Sequence, residues 1–214
     1  MERQVQSVTI VGGGTAGWLT ALMLYKRLNR GPNLARIPVT VIESPTIPII
    51  GVGEGTLPAL VREFKNLGLD EAEIVRRCDA SFKLGVRFAN WNVDSASQPY
   101  SFVHPFTYRG DNIAGSNPLH YFLTYGADPD RNANDSIDSL DPISEAIRLN
   151  RAPRGITGEP WSGVFRYAYH FDATQLAGYL REEALQRGIQ QVLDDVEGAT
   201  VGDDDFISHL HLRR

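Results

Sequence analysis

The chain has 214 residues, 42% hydrophobic and 22% charged. This is ordinary usage for one large globular domain or a domain plus an excursion, and it excludes a disordered tail, a collagen-like chain and a disulfide miniprotein. Lys and Arg number 21 against 26 Asp and Glu, a net charge of −5, so the basic footprint of a nucleic-acid binder is missing.

The first predicted elements form a βαβ unit. Val8-Thr9-Ile10-Val11 reads as a short buried strand, and Gly12-Gly13-Gly14-Thr15-Ala16-Gly17 follows at once. Trp18 to Leu28 carries Leu19, Leu22, Met23 and Leu28 at helical spacing, and Gly31-Pro32-Asn33 breaks the helix. Val39 to Ile42 reads as a second buried strand, closed by Glu43. Strand, helix and strand in this order predict the start of a parallel sheet.

Residues 44–58 are rich in Pro and Gly, too punctuated for a long helix or a central strand. Leu57, Leu60, Val61, Phe64 and Leu67 then predict an amphipathic helix, and Asp70 with Glu73 resembles a capping box before a short one. Ser81 to Phe88 alternates, with Phe82, Leu84, Val86 and Phe88 on one face and Lys83, Gly85 and Arg87 on the other. That is the period of one half-buried strand.

Residues 90–140 are aromatic, polar and loop-rich, with one helix expected around Pro118–Tyr125 and another starting at Asp141-Pro142. They read as an excursion that covers a site. The pattern returns to α/β near the end. Asp172 with Gln175 caps a helix carrying Leu176, Tyr179, Leu180 and Ala184, which Gly188 stops. Gln190–Leu193, Thr200–Val201 and Phe206–Leu212 are strand candidates.

No apolar run reaches the roughly 18 residues needed to span a membrane. The N-terminus lacks a signal-peptide pattern. The single cysteine, Cys78, fits a reducing compartment, so a cytoplasmic location is expected.

Gly12-x-Gly14-x-x-Gly17 has the spacing of a dinucleotide-binding turn. The first glycine allows the tight turn, the second lets the backbone approach a pyrophosphate, and the third lets the helix pack on the strand. The helix N-terminus offers free N–H groups and the positive end of its dipole. Glu43, 26 residues after Gly17, closes the next strand and can accept from ribose hydroxyls. A carboxylate there favours FAD or NAD over NADP. Gly51-Val52-Gly53-Glu54-Gly55-Thr56 is a second glycine cluster, either a flexible connection or a close approach to a ligand. Taken alone, Lys83 reads as a solvated strand residue. His209 and His211 share a strand face, but no third ligand with zinc-type spacing accompanies them, and no metal site is expected.

Four segments, VTIVGGGTAGW, ESPTIPIIGVGEGTLP, ASFKLGVRFANW and YAYHFDATQLAGYLRE, occur in that order through most of the chain. Together they make it resemble the flavin-dependent tryptophan halogenases. The resemblance implies an α/β fold, a Rossmann-like FAD-binding domain of the two-dinucleotide-binding flavoprotein type, with an inserted loop-rich and helical substrate-side region. The corresponding division is 1–90, 91–165 and 166–214, the last part returning to the FAD-binding domain.

The implied function is halogenation of an electron-rich aromatic such as tryptophan or indole, using FADH2, oxygen and halide. Hypohalous acid passes down a tunnel to a lysine, and Lys83 matches that catalytic position. Its ammonium can polarise the oxidant, or its amine can accept the halogen covalently. The implied FAD-binding residues are Gly12, Gly13, Gly14, Thr15, Ala16 and Gly17 for the pyrophosphate, and Glu43 with Ser44 for the adenosine side. Gly51, Val52, Gly53, Glu54 and Thr56 belong to the flavin strap, and Val196 meets the adenine side through its backbone. The implied partners are a separate flavin reductase, an aromatic small molecule and halide. No nucleic acid or membrane is expected, and a homodimer stays open.

The family's Trp-x-Trp-x-Ile-Pro signature is absent, and its catalytic glutamate and halide-binding stretch come later in its longer chains. An N-terminal portion, truncated before the site is complete, is therefore expected. An FAD-dependent monooxygenase or other oxidoreductase, and a non-catalytic FAD-binding fragment, remain alternatives.

Overall fold

The computed structural model describes residues 5–31, 36–93, 96–106, 142–155 and 158–213. The helix expected around Pro118–Tyr125 and residue Asp141 lie outside them. In chain order the described elements are β1 (Val8–Val11), α1 (Thr15–Leu28), β2 (Val39–Glu43), β3 (Gly53–Gly55), α2 (Pro58–Leu67), α3 (Glu71–Arg77), β4 (Ser81–Lys83), β5 (Gly85–Val93), β6 (Pro99–Pro105), α4 (Pro142–Arg148), β7 (Ala168–Asp172), α5 (Ala173–Gln186), β8 (Gln190–Leu193), β9 (Val196–Val201) and β10 (Ile207–Leu212). They fall into two compact units, Met1–Glu54 with Phe64–Ala80 and Phe171–Arg214, and Gly55–Glu63 with Ser81–His170.

The first unit holds the expected βαβ. β1 pairs parallel with β2, from Val8 opposite Val39 to Val11 opposite Ile42. β8 joins the other edge of β2, also parallel, which gives the order β1-β2-β8. Val39, Val41 and Ile42 are buried, as the central strand of a covered parallel sheet requires. α1 packs against β2 and α5. Trp18, Leu22, Leu176 and Leu180 are each at most 1% exposed, and full burial stabilises each of the leucines by about 1.5–3 kcal/mol.

Local signals end the helices. The Asn29 backbone N–H caps α1 by donating to the Tyr25 carbonyl, and the Asn29 side chain clasps both backbone groups of Ile37 across the connection. Asp70 Oδ1 accepts from Ala72 and Glu73 N–H at the start of α3. Glu73 does not reach back as a full capping box would, because its carboxylate pairs with Arg76 at 2.7 Å. Asp172 Oδ1 accepts from Gln175 N–H and caps α5, and Gly188 follows it at φ +90°. β9 and β10 form an antiparallel hairpin.

The second unit departs from the sequence reading at one place that matters. The alternating run over 81–88 is two strands, not one. β4 pairs antiparallel with β7, whereas β5 pairs with β6. The break falls at Leu84, which is buried and whose carbonyl accepts from Phe106 N–H. A Cβ on Gly85 would stand 2.6 Å from the His104 carbonyl oxygen, so only glycine lets β5 start this close to β6. Leu57 also departs from its expected helix face, since it is 60% exposed just ahead of α2.

Candidate functional site

In the first unit, the turn after β1 is built for close approach. Gly12 has φ +113°, where other residues are strained, and its N–H bonds the Ile42 carbonyl at 2.8 Å. A Cβ on Gly17 would lie 1.9 Å from the Gly12 oxygen, while one on Gly14 would meet nothing within 4 Å. The third glycine is therefore needed for packing, and the second leaves space open over the helix start. Gly14 is the N-cap of α1 without a side-chain cap bond, and the first turn holds no acid. The Thr15 and Ala16 N–H groups at that end suit an anion such as a pyrophosphate. The Thr15 hydroxyl itself donates to the Ala173 carbonyl.

Glu43 comes to this turn. A Cβ on Gly13 would fall 2.3 Å from the Glu43 carboxyl carbon. Gln191 Nε2 donates to Glu43 Oε2 at 2.6 Å and fixes the carboxylate. Ser44 turns away from it. The Ser44 hydroxyl donates to Asp195 Oδ1, Thr46 Oγ1 bonds both Asp195 oxygens at 3.0 Å, and Arg213 pairs with Oδ2 at 2.6 Å. The Ser44 bond, helped by Thr46 and Arg213, holds the Asp195 carboxyl below its ordinary range. Val196 begins β9 directly after this network.

The second glycine cluster divides. A Cβ on Gly51 would collide with Thr174 Oγ1 at 1.9 Å, so Gly51 marks a close approach to the start of α5. Val52 and Gly53 are exposed, and a Cβ on Gly53 would meet nothing. Glu54 is exposed on β3.

In the second unit, Lys83 is half-buried rather than solvated. Its Nζ donates to the Thr56 carbonyl at 3.1 Å and lies 5.5 Å from the centre of the Phe106 ring, within cation–π range. Thr56 is held in turn by β7. Its N–H donates to the Tyr169 carbonyl at 2.9 Å, and its hydroxyl both donates to that carbonyl and accepts from Tyr169 N–H. The acceptor for Lys83 is thus fixed before any ligand arrives.

Lys83 lines a cavity of about 420 Å³ whose walls include Phe82, Val103 and Ile147 with Arg87, Arg151 and His170. Burial lowers the His170 pKa, and the Lys83 charge adds to the effect. The sequence reading names Lys83 and Thr56 as candidates but not His170, which lies within YAYHFDATQLAGYLRE.

A sequence model of the family described as tryptophan halogenase matches residues 7–214. The chain belongs to the tryptophan halogenase family. It is 33% identical to tryptophan 6-halogenase ThaL of Streptomyces albogriseolus over 100% of this chain and 40% of that one. It is 34% identical to tryptophan 7-halogenase RebH of Lentzea aerocolonigenes, over 92% of this chain and 37% of that one. The fold matches the tryptophan halogenase structure from Shewanella frigidimarina at TM-score 0.84 and 30% identity, covering 99% of this chain and 40% of that one. A flavin-dependent halogenase from Xanthomonas campestris, Xcc4156, matches at TM-score 0.81 and 30% identity, with 99% and 40% covered. The chain spans about 40% of the length of these relatives. These neighbours agree with the α/β, Rossmann-like fold class read from the sequence.

Cys78, His209 and His211 all lie in the first unit. Cys78 is buried, and burial pushes its thiol pKa up to about 11, which makes it a poor nucleophile at neutral pH. His211 Nε2 shares a 2.6 Å hydrogen bond with Thr200 Oγ1. Among the described residues no group of three His, Cys, Asp or Glu is placed to hold a metal ion. No described helix is long and apolar enough to cross a membrane.

Proposed function

We propose that this chain carries the FAD pyrophosphate site and the catalytic lysine of a flavin-dependent halogenase acting on an electron-rich aromatic such as tryptophan or indole. The observation that carries the reading is Lys83, held by the Thr56 carbonyl at the wall of a cavity that Phe82, Val103 and Ile147 help to line, in a chain that also has an open glycine turn at a helix start. Reduced FAD, once bound, supplies with oxygen the oxidising equivalent that converts halide to hypohalous acid.

The chain's own residues do the rest. Backbone N–H groups of residues 13–17 hold the pyrophosphate, and Glu43, fixed by Gln191, accepts from the adenosine ribose. Ser44 and Val196 shape the adenosine side, and residues 51–56 form the strap. Lys83 donates to the oxygen of the oxidant and turns its halogen toward the substrate. The Thr56 carbonyl accepts one N–H of Nζ and holds it in place for this donor role. FADH2 comes from a separate flavin reductase, and the soluble setting this implies is the cytoplasm.

The test uses a protein of the relatives' full length, supplied with a flavin reductase, halide and a panel of indoles. A halogen isotope pattern in the product is expected. Lys83→Met is expected to lower the rate by about 10²-fold or more at unchanged FAD affinity. A hydroxylated product independent of halide would assign a monooxygenase instead.

A further inference from the structure

The wall of the Lys83 cavity carries a second group able to move a proton. β4 and β7 pair with Ser81 opposite His170 and Lys83 opposite Ala168. Alternation along paired strands separates two faces. Phe82 meets Tyr169 and Tyr167 at ring-centre distances of 5.7 and 5.2 Å on one of them. Lys83 and His170 share the other as diagonal neighbours, a spacing that long side chains bridge.

Gly55 shows how closely they converge. The point where its Cβ would stand is 3.0 Å from Lys83 Nζ and 3.1 Å from both Nδ1 and Cε1 of His170. The two nitrogens therefore lie within about 6 Å of each other. Nζ bonds Thr56 and not His170 directly, and the interval takes one bridging water.

We infer that His170 is the positioning residue of Lys83, its Nδ1 accepting from the ammonium through one bridging water, so that Nζ stays on the Thr56 carbonyl with one N–H left for a ligand. An ammonium has three donors and no acceptor. Thr56 takes one, His170 the second, and the cavity receives the third. A protonated imidazole would do the reverse, adding a positive charge and losing the acceptor. The charged neighbours favour the neutral ring. Lys83 of β4, Arg87 of β5 and Arg151 beyond α4 line the same cavity as His170, and all three are cations. Glu54, beside Gly55 along β3, is exposed. Burial and the Lys83 charge lower the His170 pKa in the same sense.

The inference rests on the reading of Lys83 as catalytic, but its test does not use halogenation. In the 214-residue chain, the His170 Cε1–H NMR signal is followed with pH, and the Lys83 Nζ protons are followed by their exchange with water. The His170 midpoint is expected below the ordinary 6.5, and Lys83→Met is expected to raise it. His170→Leu is expected to speed Lys83 Nζ–H exchange about threefold or more, the loss of one ordinary hydrogen bond, and His170→Gln, which keeps an acceptor, to restore it.

Gly55→Ala guards against an unfolded variant. It has no backbone strain to add, and its methyl group meets the ends of the two side chains first, so it too should speed the exchange. A His170 midpoint indifferent to Lys83→Met, or Lys83 exchange indifferent to both His170→Leu and Gly55→Ala, overturns the inference. Coupled signals in a protein that never halogenates would sink only the catalytic reading.

Discussion

Gly17→Ala probes the packing that creates the proposed nucleotide site. Its methyl carbon would stand 1.9 Å from the Gly12 carbonyl oxygen and 3.0 Å from the Gly12 carbonyl carbon. The oxygen distance is about 1.4 Å short of an ordinary carbon–oxygen contact near 3.3 Å. Both partners are backbone, so no rotamer relieves the clash. The start of α1 must lift from the turn, and Trp18, the next residue and fully buried, moves with it. Overpacking of this kind costs about 1–3 kcal/mol, and the better helix propensity of alanine returns up to about 1 kcal/mol. A net loss of about 1–2 kcal/mol is expected, equivalent to a fall in melting temperature of roughly 2–8 °C for a chain of this size. Far-ultraviolet circular dichroism on heating reads it. Gly14→Ala is the control, because its methyl group meets nothing within 4 Å; it loses only the better N-cap propensity of glycine and should melt above Gly17→Ala. If Gly17→Ala melts with the wild type, or Gly14→Ala melts as low as Gly17→Ala, the account of the turn is wrong.

Three further outcomes follow from single residues. Asp70→Ala removes the oxygen that caps two N–H groups of α3 and should cost about 1 kcal/mol in urea unfolding. Asp195 is held below its ordinary range chiefly by the Ser44 hydrogen bond. Its stabilisation is therefore full above the unfolded value near 3.8 and is lost as pH falls through the lower folded value. Asp195→Asn should flatten the acid limb of the stability curve there and leave its shape above pH 5 unchanged, as denaturant midpoints across pH will show. Cys78, its pKa pushed up to about 11 by burial, should resist a disulfide reagent in the folded chain at pH 8 and release one equivalent in urea. Fast native-state labelling would contradict the buried placement.

Legibility in the sequence followed distance along the chain. The βαβ unit and its glycine turn were readable because strand period, helix period and Gly punctuation are local. So were the Asp70 and Asp172 caps and the Gly188 stop. The reciprocal half of the Asp70 box was not, because Arg76 competes for the Glu73 carboxylate. The alternation over 81–88 was correctly seen, but it cannot report that Leu84 is where one sheet ends and another begins. β5 hid past Phe88, where its register with β6 shifts and Asn90 takes φ +50°. β7 went unread because an aromatic run before a helix cap carries no period of its own. The Lys83 environment was the least legible part. Thr56 lies 27 residues away from Lys83 in sequence, and β7 brings His170 from much further still. Only strand pairing puts them together.

The central claim, that this chain supplies the FAD-binding turn of a flavin-dependent halogenase, is tested most directly by titrating the purified chain with FAD. Quenching of flavin fluorescence should saturate at one FAD per chain. Gly14→Ala, which fills the space over the α1 N-terminus without touching the protein, should weaken binding about tenfold or more, the effect of losing roughly 1.4 kcal/mol of close backbone contact. Lys83→Met should bind like the wild type. Absence of saturable binding, or affinity indifferent to Gly14→Ala, would contradict the account.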